Sequence, residues 1–300
     1  MRSVPETHTI FAFDAEMAPA MTVETPQTVV FETLDALGGQ VRHERDTLET
    51  LDFSRVNPAT GPVEVAGAEP GDVLAVDVRS VDLPTQGAII TGPGLGVLGD
   101  DVHRPVSKIL PIEDGHVLFN GLRLRTAPMI GVIGVAPGSG SFATGTAHRH
   151  GGNMDAKEIG PGATVYLPVF RPGALLALGD VHALMADGEV CVSACEVSAV
   201  VTVGLRLLKA VPLRWPLVEA NEALSVHVSL PAIGDALREA TREAVALMER
   251  ALGLPFDQAY LLASLTADVG ISQLVDPNKT AKATLRTSLV GPFESFCHGR

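Results

Sequence analysis

Ala68-Glu69-Pro70-Gly71-Asp72 runs directly into Val73-Leu74-Ala75-Val76-Asp77-Val78. Pro-Gly is the central pair of a reverse turn, and the run after it is short, aliphatic and alternating, as in a half-buried strand. The same grammar repeats on both sides. Upstream, Thr28-Val29-Val30-Phe31-Glu32-Thr33-Leu34 is β-branched and bounded by Pro26 and Gly38-Gly39. Downstream, apolar runs at Met129–Val135, Thr164–Phe170 and Val190–Leu208 are separated by Ala136-Pro137-Gly138, Gly160-Pro161-Gly162 and Arg171-Pro172-Gly173. The 30 glycines and 21 prolines punctuate many short strands, which predicts a mainly β chain with a sandwich- or barrel-like core.

Helical periodicity enters only late. Ile233–Leu252 sets Ala236, Leu237, Ala240, Ala244, Leu247, Met248, Ala251 and Leu252 on one stripe, with Arg238, Glu239, Arg242, Glu243 and Glu249 opposite. Gly253 and Pro255 end it. A shorter helix is expected over Phe256–Ala267, stopped by Gly270. The chain therefore divides into a β-rich core, residues 1–212, and a smaller C-terminal α+β part, residues 213–300.

Composition bounds the partners. Over 300 residues the hydrophobic share is 46% and the aromatic share 4%, and mean hydropathy is +0.26, so the core is large and aliphatic. A formal charge of −13 opposes nucleic acid and anionic membranes as partners, since binding them needs clustered Lys and Arg. Met1–Asp14 shows no secretory h-region, and no apolar run approaches a membrane span. A soluble, cytoplasmic protein is expected. The three cysteines fit a reducing compartment: Cys191 and Cys195, placed on one strand face, stand about 13 Å apart, too far for a disulfide.

The chemistry concentrates in three segments: His148-Arg149-His150-Gly151-Gly152-Asn153-Met154-Asp155, Gly179-Asp180-Val181-His182-Ala183, and Asp187-Gly188-Glu189 leading into a strand with Glu196. Ionised groups in so apolar a setting are normally paired or hold a metal. Residues two apart on a strand face one side, so His148 with His150, and Asp180 with His182, can converge on a divalent ion. Gly151 and Gly152 let the backbone approach a ligand closely. Glu196 shares its strand phase with Val190, Val192, Ala194 and Val200, so burial raises its pKa and suits it to acid/base work. Plainer readings stand beside these. Asp180 can be a turn former and Asp155 a helix cap or Asx-turn residue. Each histidine can be a hydrogen-bonded loop residue, and Glu32 and Asp35 can be solvated at a strand end.

Other motifs lack their context. Gly94-Leu95-Gly96-Val97-Leu98-Gly99 fits G-x-G-x-x-G but precedes Asp100, Asp101 and Pro105 rather than a helix, so residues 92–99 read as a mobile glycine loop, a candidate lid. Gly138-Ser139-Gly140-Ser141 is neither a nucleophile elbow nor a phosphate loop.

Pro128–Pro137, His150–Asp155, Gly179–Ala183 and Asp187–Val190 resemble, in order, blocks of the acetamidase/formamidase family. The likeness runs from about Phe11 through Gly61-Pro62-Val63 to Ser272-Gln273-Leu274-Val275-Asp276-Pro277. It implies hydrolysis of short aliphatic amides such as formamide and acetamide to carboxylate and ammonia. It also implies a divalent metal, zinc or calcium, and a homodimer or higher homo-oligomer. Joined to the residues, it places Asp155, Asp180 and His182, with Asp35 or Glu32, on a metal that lowers the pKa of a bound water. Glu196 or His150 would then be the proton acceptor, and Asn153 with backbone N–H groups at Gly151 and Gly152 would stabilise the oxyanion. The alternatives are a metal-binding β-sandwich enzyme of other chemistry, a lyase or isomerase, and a non-catalytic module binding a small ligand or Ca²⁺.

Overall fold

A computed structural model describes residues 2–298. Among these residues the strands form a nine-stranded sheet, an eleven-stranded sheet and a two-stranded ribbon. The chain is mainly β, as the turn-and-strand punctuation predicts. In the nine-stranded sheet, Gln27–Thr33, Ala199–Leu208, Val73–Asp82 and Thr164–Pro168 lie side by side. The sheet continues through Leu217–Ala220, Ala223–Leu230 and Lys279–Arg286 to an edge at Asp268–Gln273. One sheet thus runs from the N-terminal body into the C-terminal part.

The eleven-stranded sheet holds Leu176–His182 in its interior. That strand pairs with Met129–Gly134 on one side and with Ala59–Val65 and Glu196–Val197 on the other. All seven of its residues are buried. The main core, with Val29, Phe31, Leu74, Val76 and Val203 from the first sheet and Ile130, Ile133, Leu176, Leu178 and Val181 from the second, is predominantly aliphatic.

Helix α1, Ile233–Leu252, falls where its periodicity predicts and ends on Gly253 in the left-handed region, whose N–H bonds Glu249 O. Its small face, Ala236, Ala240, Ala244, Met248 and Ala251, lies in a second core with Val226, Val228, Ala281 and Ala283. Helix α2, Phe256–Thr266, stops one residue before the expected end.

Two local expectations need correction. Val190–Leu208 is not one strand. Gly188, Glu189 and Val192 take positive φ values of 99°, 46° and 86°, so residues 190–195 form a loop and the strands are Glu196–Val197 and Ala199–Leu208. Val190 is accordingly 59% exposed while Glu196 is buried, and Cys191 and Cys195 share no strand face. His148 and His150 lie in a tight turn closed by reciprocal bonds between the backbones of His148 and Gly151, so strand alternation does not align them.

Candidate functional site

The interior strand Leu176–His182 brings Asp180 and His182 to one side, as the two-residue spacing predicts. His182 Nε2 lies 3.1 Å from Asp180 Oδ1. Its register partner on the neighbouring strand is Glu196, whose Oε2 is 3.2 Å from the same nitrogen. Asp155 Oδ1 and Glu189 Oε1 each stand 3.9 Å away. Four carboxylates therefore surround one imidazole edge, all of them buried.

Each arrives by a strained or pinned segment. Asp155, Asp180 and Glu189 hold φ of +43°, +51° and +46°, a conformation costly for side chains with a Cβ and kept only where the surroundings enforce it. The chain turns at Asp155 because the N–H groups of Met154 and Asp155 both reach Gly131 O, at 3.1 and 3.3 Å. Glu189 follows Gly188, whose N–H bonds Ser272 O at 2.6 Å. Gly131 packs against the cluster: a Cβ there would lie against Asp155 Oδ1 and within 2.8 Å of Asp180 O.

A fifth carboxylate comes from the C-terminal part. Asp276 is shaped by Gln273, whose Oε1 accepts from Val275 N and Asp276 N at 2.9 and 3.1 Å. Asn153 Nδ2 donates to Asp276 Oδ2 at 2.8 Å. Behind the site, Lys282 Nζ reaches Glu158 Oε1 at 2.6 Å and Asp187 Oδ1 at 2.7 Å, tying the last sheet strands to the segments that carry Asp155 and Glu189.

Burial and mutual repulsion set the electrostatics. Asp155 is held well above the carboxylate range by desolvation and then by Asp276 and Asp180. Glu189 is raised in the same way, by burial and then Asp155, and Asp276 by burial and then Glu189. Glu196 is pushed up to about 7, chiefly by burial. Burial alone would lower His182, but the carboxylates of Glu196 and Asp180 outweigh it and its pKa lies well above the ordinary histidine value. Such a set places several carboxylates around a single imidazole and is short of positive charge. Both oxygens of Asp155, with Nδ1 of His182 and Oδ1 of Asn153, are buried without a hydrogen-bond partner.

Those orphaned atoms fit a cation. The ligand atoms of Asp155, Asp180 and His182 lie within 4.8 Å of one another, as do those of His182, Glu189 and Glu196. One imidazole among several carboxylate oxygens is a donor set for a divalent ion.

Sequence-predicted residues outside this cluster sit as follows. Glu32 is exposed on its strand, and its backbone carbonyl accepts from Thr60 Oγ1. Asp35 Oδ1 accepts from the N–H groups of Leu37 and Gly39 at 3.0 and 2.9 Å, as a turn-former does. Neither joins the carboxylates around His182. His150 is buried among aromatic rings, 5.1 Å from both Phe13 and Phe142. No hydrogen bond reaches either ring nitrogen, and burial depresses its pKa to about 3. Gly151 N–H bonds His148 O, and Gly151 and Gly152 give the backbones around Ile133 and Thr146 room to approach.

Sequence reasoning placed neither Glu189 nor Asp276 on the ion and did not single out Asn57, whose Nδ2 lies 3.4 Å from Asp180 Oδ2. Glu189 and Asp276 stood inside quoted blocks, next to Gly188 and Pro277, and the turn chemistry there was the available signal.

A cavity of about 170 Å³ opens onto Asn57, Asn153, Asp180, Glu189, Glu196 and Asp276. A family profile described as the acetamidase/formamidase family matches residues 6–144 and 138–290. A predicted acetamidase/formamidase of the thermophile Thermoanaerobacter tengcongensis is 42% identical, with a TM-score of 0.94 over 98% of this chain and 97% of its own. An acetamidase of Bacillus halodurans is 39% identical, with a TM-score of 0.94 over 98% of this chain and 99% of its own. The formamidase of Methylophilus methylotrophus is 26% identical over 241 residues, 59% of this chain and 58% of that enzyme. The chain spans less than two thirds of the length of the curated relatives it matches.

Proposed function

The chain belongs to the acetamidase/formamidase family, and on that premise we propose that it hydrolyses the C–N bond of small linear amides to carboxylate and ammonia. One observation carries the reading: a cavity sized for a small molecule ends on a buried, cation-deficient cluster of carboxylates around one histidine. Asp155, Asp180, His182 and Glu189 would hold a divalent cation, zinc or calcium. Such an ion polarises a carbonyl and makes water a better nucleophile.

The chain's own groups account for the rest. Glu196 Oε1 is anchored by Ala194 N–H at 2.7 Å, which leaves Oε2 to take a proton from the attacking water and return it to the departing nitrogen. Asn153 is oriented by its bond to Asp276, so its unpartnered Oδ1 accepts from the substrate NH₂. Asn57 Nδ2, on the cavity wall, is a donor for the developing oxyanion. His150, enclosed by rings, packs rather than transfers protons. The family profile covers both sides of residue 212, and we read the 1–212 core and the 213–300 part as jointly building the site, since Asp276 comes from the latter.

Self-association and a cytoplasmic setting belong to the same reading. Helix α2 buries only Ala259 and Ala263 and leaves Phe256, Tyr260, Leu261 and Leu265 more than half exposed, a surface that supports pairing with another copy. The cysteines are free, which suits a reducing compartment.

The test is ammonia release from small amides before and after chelation. Activity is expected to vanish with the metal and return when zinc or calcium is restored. Asp180→Ala is expected to lose both metal and turnover. Full ammonia release by a metal-free protein would end the metal-assisted mechanism, and no release from any amide by the metal-loaded protein would end the amidase reading.

A further inference from the structure

We propose that the acyl group this site accepts best is an aliphatic chain of four or five carbons, or a ring of that size, rather than formyl or acetyl; this rests on the amide-hydrolysis reading of the same site. The cavity has two chemically distinct parts. Its polar lining is accounted for by the cluster and by Asn57 and Asn153, which both bond into it. Ser193 also lines it, but the Ser193 hydroxyl is spent on the backbone of Ile90, donating to O at 2.7 Å and accepting from N at 2.9 Å. What remains is apolar, a wall that includes Leu37, Leu51, Phe53, Ile90, Leu95 and Val192. A carboxamide held at the cluster would direct its acyl group at that wall.

Size argues the same way. A cavity of about 170 Å³ compares with the roughly 150 Å³ of an apolar cavity that holds benzene. Formamide displaces about two waters, on the order of 60 Å³, and would leave most of the apolar wall facing water.

Apart from Phe53, which is 60% exposed, the wall is held by packing and backbone bonds. Leu37, Leu51 and Ile90 are buried. Leu95 is presented by the glycine loop, whose Gly94 and Gly96 hold φ of +77° and +79°. That loop is pinned by Gly94 N–H to Gly99 O at 2.9 Å and by Val97 N–H to Val190 O at 2.8 Å. A Cβ on Gly96 would meet the backbone of residues 190 and 191. The loop thus supplies one wall of the acyl compartment, and Leu95 is the side chain through which it limits chain length.

The experiment is a homologous series, formamide to heptanamide with benzamide, measured with the metal-loaded protein. From acetamide to pentanamide kcat/KM is expected to rise about fourfold per methylene, mostly through KM, and then to fall as the chain meets Leu95. Leu95→Ala is expected to move the optimum to a longer chain and Leu51→Trp to a shorter one. Methyl ketones of the same chain lengths, which carry a carbonyl and no scissile C–N bond, give a second readout by thermal shift and are expected to follow the same trend. Fastest release from formamide, or a flat series, would overturn the acyl preference and leave the amidase reading standing. No hydrolysis with ketone affinity still climbing would overturn the amidase reading and leave the compartment standing. A flat ketone series would sink the compartment whatever the turnover.

Discussion

Replacing Gly131 by alanine tests the geometry of the site with one carbon atom. Gly131 lies on the buried strand Met129–Gly134 with no positive φ, so alanine brings no backbone strain and its cost is steric. The added Cβ would stand 2.8 Å from Asp180 O and 3.1 Å from Asp180 Oδ2, and closer still to Asp155 Oδ1. Asp180 O belongs to an interior strand and cannot yield, so Asp155 must retreat by about 1 Å to reach ordinary contact. Overfilling a packed interior costs about 1–3 kcal/mol, or a fall in Tm of about 2–5 °C in a chain of this length. Misplacing a reacting group by about 1 Å costs roughly 100-fold in rate. Gly131→Ala is therefore expected to fold, to melt a few degrees lower, to bind divalent metal more weakly and to release ammonia about 100-fold more slowly. Calorimetry, elemental analysis and an ammonia assay measure all of these. Gly234→Ala is the control: nothing lies within 4 Å of its added Cβ, and in the first turn of α1 it is expected to stabilise by up to about 1 kcal/mol. Gly131→Ala with wild-type metal content and turnover within twofold of wild type would refute the packing described at Asp155 and Asp180.

Asp276→Asn relieves one buried carboxylate, so the metal-free protein is expected to melt higher while its divalent-metal affinity falls about 10- to 100-fold; an unchanged affinity would remove Asp276 from the site. His227 is wholly buried, and desolvation lowers its pKa to about 4 from 6.5. The unfolded chain then holds more protons than the folded one between those values, so stability falls as pH drops from about 6.5 to about 4, by about 3 kcal/mol, and this contribution levels off below. His227→Leu is expected to flatten that part of the Tm–pH curve, and parallel curves would refute the assignment. Leu261→Glu with Leu265→Glu is expected to lower the particle mass measured by sedimentation to that of one chain; a wild-type protein already monomeric would exclude α2 as a pairing surface.

Much of the architecture was legible because strand and helix periods differ. The stripe from Ala236 to Ala251 specifies the face that is buried and formed as read, whereas the run after Pro70-Gly71 formed its strand but is buried on both faces, Leu74 and Val76 in the main core and Val73 and Ala75 in the second, rather than half-buried. The Val190–Leu208 run failed because Gly188-Glu189 and Val192 fold back through positive φ, a choice made by the packing of the loop rather than by residue preference, since β-branched Val192 disfavours it. The pair Asp180 and His182 was readable from spacing. The pair His148 and His150 had the same spacing, yet a turn at Gly151 carried it into an aromatic cluster.

By itself the sequence determined the strand-rich class, the C-terminal helices and the residue types able to hold a cation, because those follow from local periodicity and from the cost of burying charge. Only the tertiary structure decided which carboxylates meet. Glu189 is folded back toward His182 by a short loop through Gly188, Asp276 joins the cluster beside Asn153 from a distant segment, and Glu32 and Asp35 are held away from it by their own strand and turn. The physical reason is that convergence on one point depends on strand register and loop closure, and neither leaves a periodic trace in the residues that converge.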